Sequence, residues 1–270
     1  MGTWLRHRLT DRVEVARLLS EERFVYADGA PVGESDPYLP SVFVWFHRDL
    51  PDEIEVPGEV RVLHHDERLV VVDKPAFLSS IPRGQHVRQS VVARLRETLD
   101  LPELSTLHRL DRVTSGLLML ATEARWRGPY QQLFQSGRVR KTYRALAPVR
   151  DDVPLPVVVR NHLVKRRGAW QAEVVDGPVN AETRIELESV LDDHAIYRLT
   201  PTTGRTHQLR MHLWGLGIPI VDDPLYPEVL DVAIDDFSRP LQLLAAELAF
   251  SDPIDATERR FSSQLRLPLS

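Results

Sequence analysis

One short segment of the chain carries a carboxylate in a setting that suits nucleophilic or general-base chemistry. Residues 108–116 read HRLDRVTSG, so Asp111 follows an Arg-Leu pair and precedes a Thr-Ser-Gly turn. The apolar residues 116–121 predict a strand after it. A loop rooted on a strand can hold a reactive side chain rigidly and still expose it to a substrate. The alternative is a structural carboxylate that pairs with Arg109 or caps the turn.

Two further segments carry groups that could work with this carboxylate. Residues 140–145 read RKTYRA, and a strand there places Lys141 and Tyr143 on one face. A cation beside an aromatic ring suits a nucleobase and its phosphate. Residues 203–212 read TGRTHQLRMH, with Arg205 at the start of a predicted helix, where it could keep a carboxylate ionised. A half-buried tyrosine and a surface helix with ordinary charges are the structural alternatives.

Composition narrows the classes of chemistry. The 270 residues include no cysteine, which excludes disulfides, iron–sulfur clusters, thiolate zinc sites and cysteine nucleophiles. The scattered histidines do not have the spacing of a zinc motif, so we expect no metal. The net charge of −5 argues against a nucleic-acid coat, but the middle of the chain is locally basic and rich in arginine. No apolar run approaches the roughly 20 residues of a membrane helix, and we expect a cytoplasmic protein.

The elements that must position these residues form two predicted regions. In residues 56–270, strands and helices mix without regular βαβ alternation, which favours an α+β domain. Residues 1–55 predict a small appendage with a helix over 13–19, a short strand at 24–29 that closes on an Asp-Gly turn, and a second strand at 42–46. The appendage loosely resembles the later part of a small RNA-binding module often fused to RNA-modifying enzymes, and a plain structural extension is the alternative. The acidic, proline-containing residues 51–58 predict a linker.

From about residue 60 onward, the chain resembles the RluA-type branch of the pseudouridine synthases. Five ordered blocks carry the resemblance: VDKP at 72–75, HRLDRVTSG at 108–116, KTY at 141–143, GRTHQLR at 204–210 and DPLY at 223–226. The resemblance implies a pseudouridine-synthase-like catalytic domain with a central mixed, largely antiparallel β-sheet flanked by helices and loops. It also implies isomerisation of uridine to pseudouridine in structured RNA, ribosomal or transfer, without an added cofactor.

The resemblance assigns roles to individual residues. Asp111 is the expected catalytic carboxylate, and Arg109 is expected to enter the RNA stack as the target nucleotide flips out. Tyr143 is expected to stack on the flipped uracil, and Arg205 to pair with Asp111. Lys141 is expected to bind substrate phosphate or support the structure, as is Lys74.

Several questions stay open at the level of sequence. Asp111 could attack the ribose, attack the uracil ring or deprotonate the ribose. Departures from the family pattern, such as Val113 in place of an acidic residue, leave the identity of the RNA and of its uridine open. An RNA-binding protein that keeps the fold without catalysis is one alternative, and a ribonucleoside hydrolase is another. We expect a monomer with no obligatory protein partner.

Overall fold

The computed structural model describes residues 1–9, 14–47, 49, 52–84 and 86–269, which form two compact units, Met1–Asp52 and Glu53–Ser270. The first unit contains helices α1 (Gly2–Arg8) and α2 (Val15–Ser20) and an antiparallel pair of strands, β1 (Phe24–Val25) and β2 (Trp45–Phe46). The sequence analysis did not predict α1, and both strands are shorter than predicted. Val13 and Pro51, where a predicted helix and a predicted linker begin, lie outside the described residues. RNA binding by this unit stays a prediction.

Within the described residues, the second unit contains three helices and twelve strands. The helices are α3 (Val91–Leu99), α4 (Ala124–Gln135) and α5 (Gln208–Gly215). The strands are β3 (Arg61–His65), β4 (Leu69–Lys74), β5 (Ser105–Thr106), β6 (Ser115–Ala121), β7 (Arg140–Pro148), β8 (Val157–Asn161), β9 (Leu163–Val164), β10 (Glu173–Val174), β11 (Ala181–Leu191), β12 (His194–Pro201), β13 (Leu243–Ser251) and β14 (Glu258–Ser262).

Ten of these strands form one sheet. Its main order is β3-β4-β6-β13-β7-β12-β11-β8, with β14 paired to β13 and β5 paired to β6. The β6–β13 pair is parallel, and the other pairs in the sheet are antiparallel. Strands β9 and β10 form a separate antiparallel hairpin. The predicted α+β class with a mixed, largely antiparallel sheet is confirmed.

Helices cover both faces of the β4–β6 part of the sheet. Strand β6 reads SGLLMLA and is buried at every position, because its alternate side chains point to opposite faces and both faces are covered. One face packs Leu118 and Leu120 against α3, and the other packs Leu117 and Met119 against α4. Burial of each such leucine contributes about 1.5–3 kcal/mol to folding. These two layers fix the strand from which the Asp111 loop departs.

Strand β13 joins the two halves of the sheet. It lies between β6 and β7, although more than 90 residues separate it from both of them in sequence. Ala245 pairs with Gly116 of β6 on one side and with Tyr143 of β7 on the other. The strand therefore brings the Asp111 segment and the Tyr143 segment together.

Gly116 is required at the start of β6. Its φ angle is +104°, which L side chains rarely adopt, and a Cβ atom there would lie 2.3 Å from the carbonyl oxygen of Ala245. The turn before β6 can approach β13 this closely only because residue 116 has no side chain.

None of the described helices has the length and apolar character needed to cross a membrane.

Candidate active site

The segments singled out in the sequence meet at one cleft of about 920 Å³. Its lining includes all five predicted site residues: Arg109, Asp111, Lys141, Tyr143 and Arg205. Asp111 and Arg109 come from the loop before β6, Lys141 and Tyr143 from β7, and Arg205 from the turn before α5. The prediction that Lys141 and Tyr143 share one face of a strand agrees with this placement.

The loop that carries Asp111 is held firmly by its neighbours. The buried hydroxyl of Ser80 donates to the carbonyl of Leu110 (2.9 Å) and accepts from the amide of the same residue (3.1 Å). The amide of Thr114 donates to the carbonyl of Asp111 at 3.1 Å, which closes the turn. The Asp111 side chain is 33% exposed, so the carboxylate is fixed at its base and open to the cleft.

The arginine beside Asp111 is Arg210, and the prediction that Arg205 pairs with Asp111 is wrong. Nη1 of Arg210 lies 3.5 Å from Oδ2 of Asp111. Arg205 is exposed, and its Nε donates to the carbonyl of Asn180 at 3.1 Å. Helix α5 begins at Gln208, so Arg205 precedes the helix while Arg210 lies in its first turn on a buried face. A substrate-binding role for Arg205 stays a prediction.

A second carboxylate anchors Arg210 from behind. Both oxygens of Asp223 accept hydrogen bonds from the guanidinium, one of them from Nε at 2.7 Å. Asp223 Oδ1 also accepts from the amides of Leu225 (2.8 Å) and Tyr226 (3.1 Å), which satisfies this fully buried side chain. The Tyr226 ring lies 5.2 Å from the guanidinium carbon. These residues belong to the DPLY block at 223–226, to which no role was assigned from sequence.

His207 also faces Asp111. Its Nε2 lies 4.0 Å from Oδ2 of the carboxylate, and its Nδ1 lies 3.0 Å from the hydroxyl of Tyr226. Burial lowers the pKa of His207, while the charge of Asp111 opposes that lowering. Arg210 and His207 both reach Oδ2, and among the described residues no side chain bonds to Oδ1. His207 was not among the site residues predicted from sequence, where its only signal was its place in the GRTHQLR block.

The two lysines differ in their surroundings. Nζ of Lys141 donates to the carbonyl of Thr203 at 2.8 Å, and burial lowers its pKa. Lys74 is completely buried, and its Nζ donates to the carbonyls of Leu78 (2.7 Å), Pro75 (3.0 Å) and Arg112 (3.0 Å). Burial lowers the pKa of Lys74 to about 7, and the charge of Asp111 opposes the shift. Lys74 therefore braces the loop that carries Asp111 and does not reach into the cleft.

Tyr143 keeps its hydroxyl proton in this environment. Burial raises the pKa of Tyr143, and the negative charge of Asp111 raises it further. The residue packs against buried side chains of two core clusters, which fixes the base of the ring, and it lines the cleft. A neutral aromatic ring beside a carboxylate can stack on a planar base.

The cleft is strongly cationic although the chain is acidic overall. Five arginines and one lysine line it, and the single carboxylate among its lining residues is Asp111. The cationic residues are Arg83, Arg109, Arg112, Lys141, Arg205 and Arg210. Such a concentration of positive charge in a concave surface attracts polyanions. Among the described residues, no group of three or more His, Asp or Glu side chains is placed to hold a metal ion.

His108, which begins the Asp111 segment, is a neutral structural residue. Its Nε2 accepts a hydrogen bond from the amide of Met119 at 3.1 Å, and its ring stacks on Phe134 with 4.5 Å between centroids. Burial lowers the pKa of His108, the nearby charge of Lys141 acts in the same direction, and together they bring the pKa to about 3. The ring therefore packs the Asp111 loop against α4 without carrying charge.

This neutral histidine predicts a loss of stability in mild acid. Below its ordinary pKa near 6.5, the unfolded chain binds a proton at this site, and the folded chain does so only near pH 3. The free energy of unfolding should therefore decrease as pH falls from 6.5 toward 3, by up to about 1.4 kcal/mol per pH unit for one such group. Urea denaturation at pH 7.5, 6.0 and 5.0 measures the effect. His108→Gln keeps an acceptor for the Met119 amide and should show a shallower dependence.

The dependence should not disappear in that variant. His212 is also buried, and its pKa is lowered to about 4, so it contributes a slope of the same sign. An identical slope in the wild type and His108→Gln would contradict the assignment of His108 as a buried neutral ring.

Comparisons with known proteins agree with this geometry. Residues 68–214 match the family model described as RNA pseudouridylate synthase. The chain is 33% identical over 203 residues to the dual-specificity RNA pseudouridine synthase RluA of Vibrio cholerae, covering 72% of this chain and 78% of that protein. It is 31% identical over 221 residues to RNA pseudouridine synthase 7 of Oryza sativa subsp. japonica, covering 79% of this chain. The match spans 54% of the rice protein, or about half of its length.

A solved structure shares the fold. Human RNA pseudouridylate synthase domain containing 4 is similar to the chain with a TM-score of 0.58 and 28% sequence identity. The similarity covers 77% of this chain and 88% of the human one. Residues 68–214, which match the family model, include the Asp111 loop, strand β7 and most of helix α5. The chain therefore belongs to the RluA-type family of RNA pseudouridine synthases.

Proposed function

We propose that the protein isomerises uridine to pseudouridine in structured ribosomal or transfer RNA, with Asp111 as the catalytic nucleophile or base. The observation that carries this proposal is the composition of the cleft, where the described lining residues include one carboxylate, Asp111, and six cationic side chains. The cations suit the phosphates of RNA, and the carboxylate suits chemistry at a ribose or at a pyrimidine. Membership of the RluA-type family supports the same reaction.

The reaction breaks the bond between N1 of uracil and C1′ of ribose and joins C5 of the rotated base to C1′, while C5 loses its proton and N1 gains one. It requires a carboxylate that is oriented but has one oxygen free. Arg210 and His207 both lie against Oδ2, so Oδ1 is the oxygen that we expect to act. Whether Oδ1 attacks a carbon or removes a proton, no added cofactor is needed for either step.

The cleft has room for a flipped nucleotide. Its volume of about 920 Å³ lies at the upper end of the usual range for sites that hold small ligands, so a nucleoside and part of its flanking backbone can enter. Tyr143 supplies a ring for stacking. Arg109, exposed at the rim, supplies a planar cation that could fill the gap left in the RNA stack.

A hairpin near the cleft offers a further cationic surface. The β9–β10 loop reads KRRGAW over 165–170, and Trp170 is 72% exposed. The hairpin is bonded to the site because the amide of Ala172 donates to the hydroxyl of Tyr226, which lies against His207. Basic side chains next to an exposed indole are the combination that binds an RNA strand. We propose that RNA beside the target uridine runs over this loop.

Arg205→Gln should weaken RNA binding more than it slows the chemical step. Arg205 is exposed at the cleft and does not touch Asp111, so its role as a phosphate contact predicts a KM for RNA raised about 5- to 10-fold. The slope of log KM against log salt should shrink by about 1. Steady-state kinetics at several salt concentrations measures both. Arg260→Gln, at an exposed arginine of β14, is the matched control, and an equal effect there would contradict the assignment.

The activity is tested by mapping pseudouridine in RNA. Purified protein is incubated with ribosomal and transfer RNA from cells that lack it, and the RNA is mapped at single-nucleotide resolution. A new pseudouridine at one reproducible site supports the proposal and identifies the substrate. RNA that binds the protein but stays unmodified would contradict it. The cytoplasmic location and the monomeric state stay predictions.

A further inference from the structure

Two side chains from the beginning of α5 converge on the same oxygen of Asp111. Arg210 approaches Oδ2 at 3.5 Å and His207 approaches it at 4.0 Å. On the side away from Asp111, Nε and Nη2 of Arg210 donate to the carboxylate of Asp223, which fixes the position of the guanidinium. His207 is likewise set from behind, by Tyr226. His207 therefore lies against the same carboxylate oxygen as Arg210. Neither its membership of the GRTHQLR block nor its burial explains this position.

The hydrogen bonds around Tyr226 favour one position for the proton on the His207 ring. The amide of Ala172 can only donate, so the Tyr226 oxygen accepts from it at 2.6 Å. The phenol's own hydrogen is then free to donate to Nδ1 of His207 at 3.0 Å. A neutral imidazole whose Nδ1 accepts must carry its proton on Nε2. That nitrogen is the one that faces Asp111, so the network presents an N–H to the carboxylate.

The backbone conformation of His207 supports the same role. His207 is the residue before α5 and has a φ of +57°, the left-handed region that a β-carbon disfavours. Asn adopts this conformation more readily than His. An unfavourable backbone conformation persists where the surrounding structure enforces it, and such residues cluster at functional sites. The turn places the ring between Tyr226 and Asp111, which an ordinary helix start would not do.

We propose that His207 is a positioning residue that donates from Nε2 to Oδ2 of Asp111, with its tautomer fixed by Tyr226. This inference rests on the proposed function and assigns a residue within the same site. The 4.0 Å separation is longer than a hydrogen bond. We expect it to shorten when the target nucleotide enters, because catalytic hydrogen bonds tighten in substrate complexes. Arg210 and His207 together then fix Oδ2 and present Oδ1 to the nucleotide.

Two conservative substitutions separate this role from a purely structural one. The side-chain amide nitrogen of His207→Gln can reach the place of Nε2, whereas that of His207→Asn reaches only the place of Nδ1. Donation to Asp111 predicts that Asn lowers kcat about 10- to 100-fold with little change in KM, while Gln retains most of kcat. A structural role predicts the reverse order, because Asn suits the left-handed backbone better. Asn equal to or better than Gln would overturn the proposal.

Nuclear magnetic resonance of the wild-type protein tests the tautomer without an activity assay. In the wild type at pH 7, the ¹⁵N shifts of His207 should show a protonated Nε2 and an unprotonated Nδ1. Tyr226→Phe should weaken that preference, because the hydroxyl donor is lost. His65→Asn, at an exposed histidine of β3, is the control for kinetics, and circular dichroism checks folding of each variant. A proton on Nδ1 in the wild type would overturn the proposal.

The two measurements separate failure of this inference from failure of the proposed function. If the wild type forms no pseudouridine in any RNA, the proposed function fails, and the tautomer measurement still decides the state of His207. If the wild type is active and Gln retains more activity than Asn, with the proton on Nε2, both stand. If the wild type is active and that order is reversed, only this inference fails.

Discussion

Asp111→Asn should abolish pseudouridine formation while RNA binding persists. The amide has almost the same shape as the carboxylate, but it is too weak a nucleophile and base to replace it. Loss of a nucleophile or its base lowers kcat about 10⁴-fold or more in well-studied enzymes, and we expect a loss of that size here. Single-turnover assays with excess protein measure it. RNA affinity should be unchanged or slightly higher, because the variant removes the only negative charge among the cleft-lining residues.

Asp192→Asn is the matched control for this prediction. Asp192 is exposed in the turn between β11 and β12 and has a φ of +53°, which Asn adopts easily. The control should retain wild-type activity and stability. Residual activity of Asp111→Asn above about a hundredth of the wild-type rate would show that another group performs the step assigned to the carboxylate.

Arg210→Gln should reduce both activity and stability. The variant leaves Asp223 as an unpaired charge that is fully buried, and breaking a buried ion pair in this way costs about 3–5 kcal/mol. It also frees Oδ2 of Asp111, so we expect kcat to fall about 100-fold or more. Urea denaturation and single-turnover kinetics measure the two effects. Arg205→Gln should leave stability unchanged, because Arg205 is exposed.

A double substitution separates the two effects of Arg210. Arg210→Met with Asp223→Asn removes both buried charges and leaves an oxygen to accept from the amides of Leu225 and Tyr226. Stability should recover most of what Arg210→Gln loses, whereas activity should stay low, because no cation faces Asp111. Recovery of activity together with stability would mean that Arg210 acts only through the fold.

The reactive residues could be predicted from sequence because their segments have distinct local patterns. Asp111 follows an Arg-Leu pair and precedes a strand that is apolar over residues 116–121, and Tyr143 lies in a strand with cations on both sides. These patterns survive in the fold because β6 and β7 are regular strands whose alternation places each side chain on a definite face. The α+β class followed from the mixture of strands and helices without regular βαβ alternation.

The partner of Asp111 could not be predicted because it depends on helix phase. Arg205 and Arg210 stand five residues apart in one block, and the choice between them depends on where α5 begins and which face is buried. Boundaries are the least reliable part of a sequence-based assignment. The pairing of Asp223 with Arg210 could not be predicted for a related reason, since only the tertiary fold brings the two side chains together. The short helix α1 lacks an extended apolar period and gave no signal.

The central place of β13 has a consequence for how the protein is made. Asp111 and Tyr143 are translated 134 and 102 residues before Ala245, the residue that pairs with both β6 and β7. Contacts so distant in sequence form slowly, because the chain must first close long loops. A nascent chain on the ribosome therefore cannot complete the cleft until β13 has left the exit tunnel. We expect ribosome-bound chains stalled before residue 243 to be inactive.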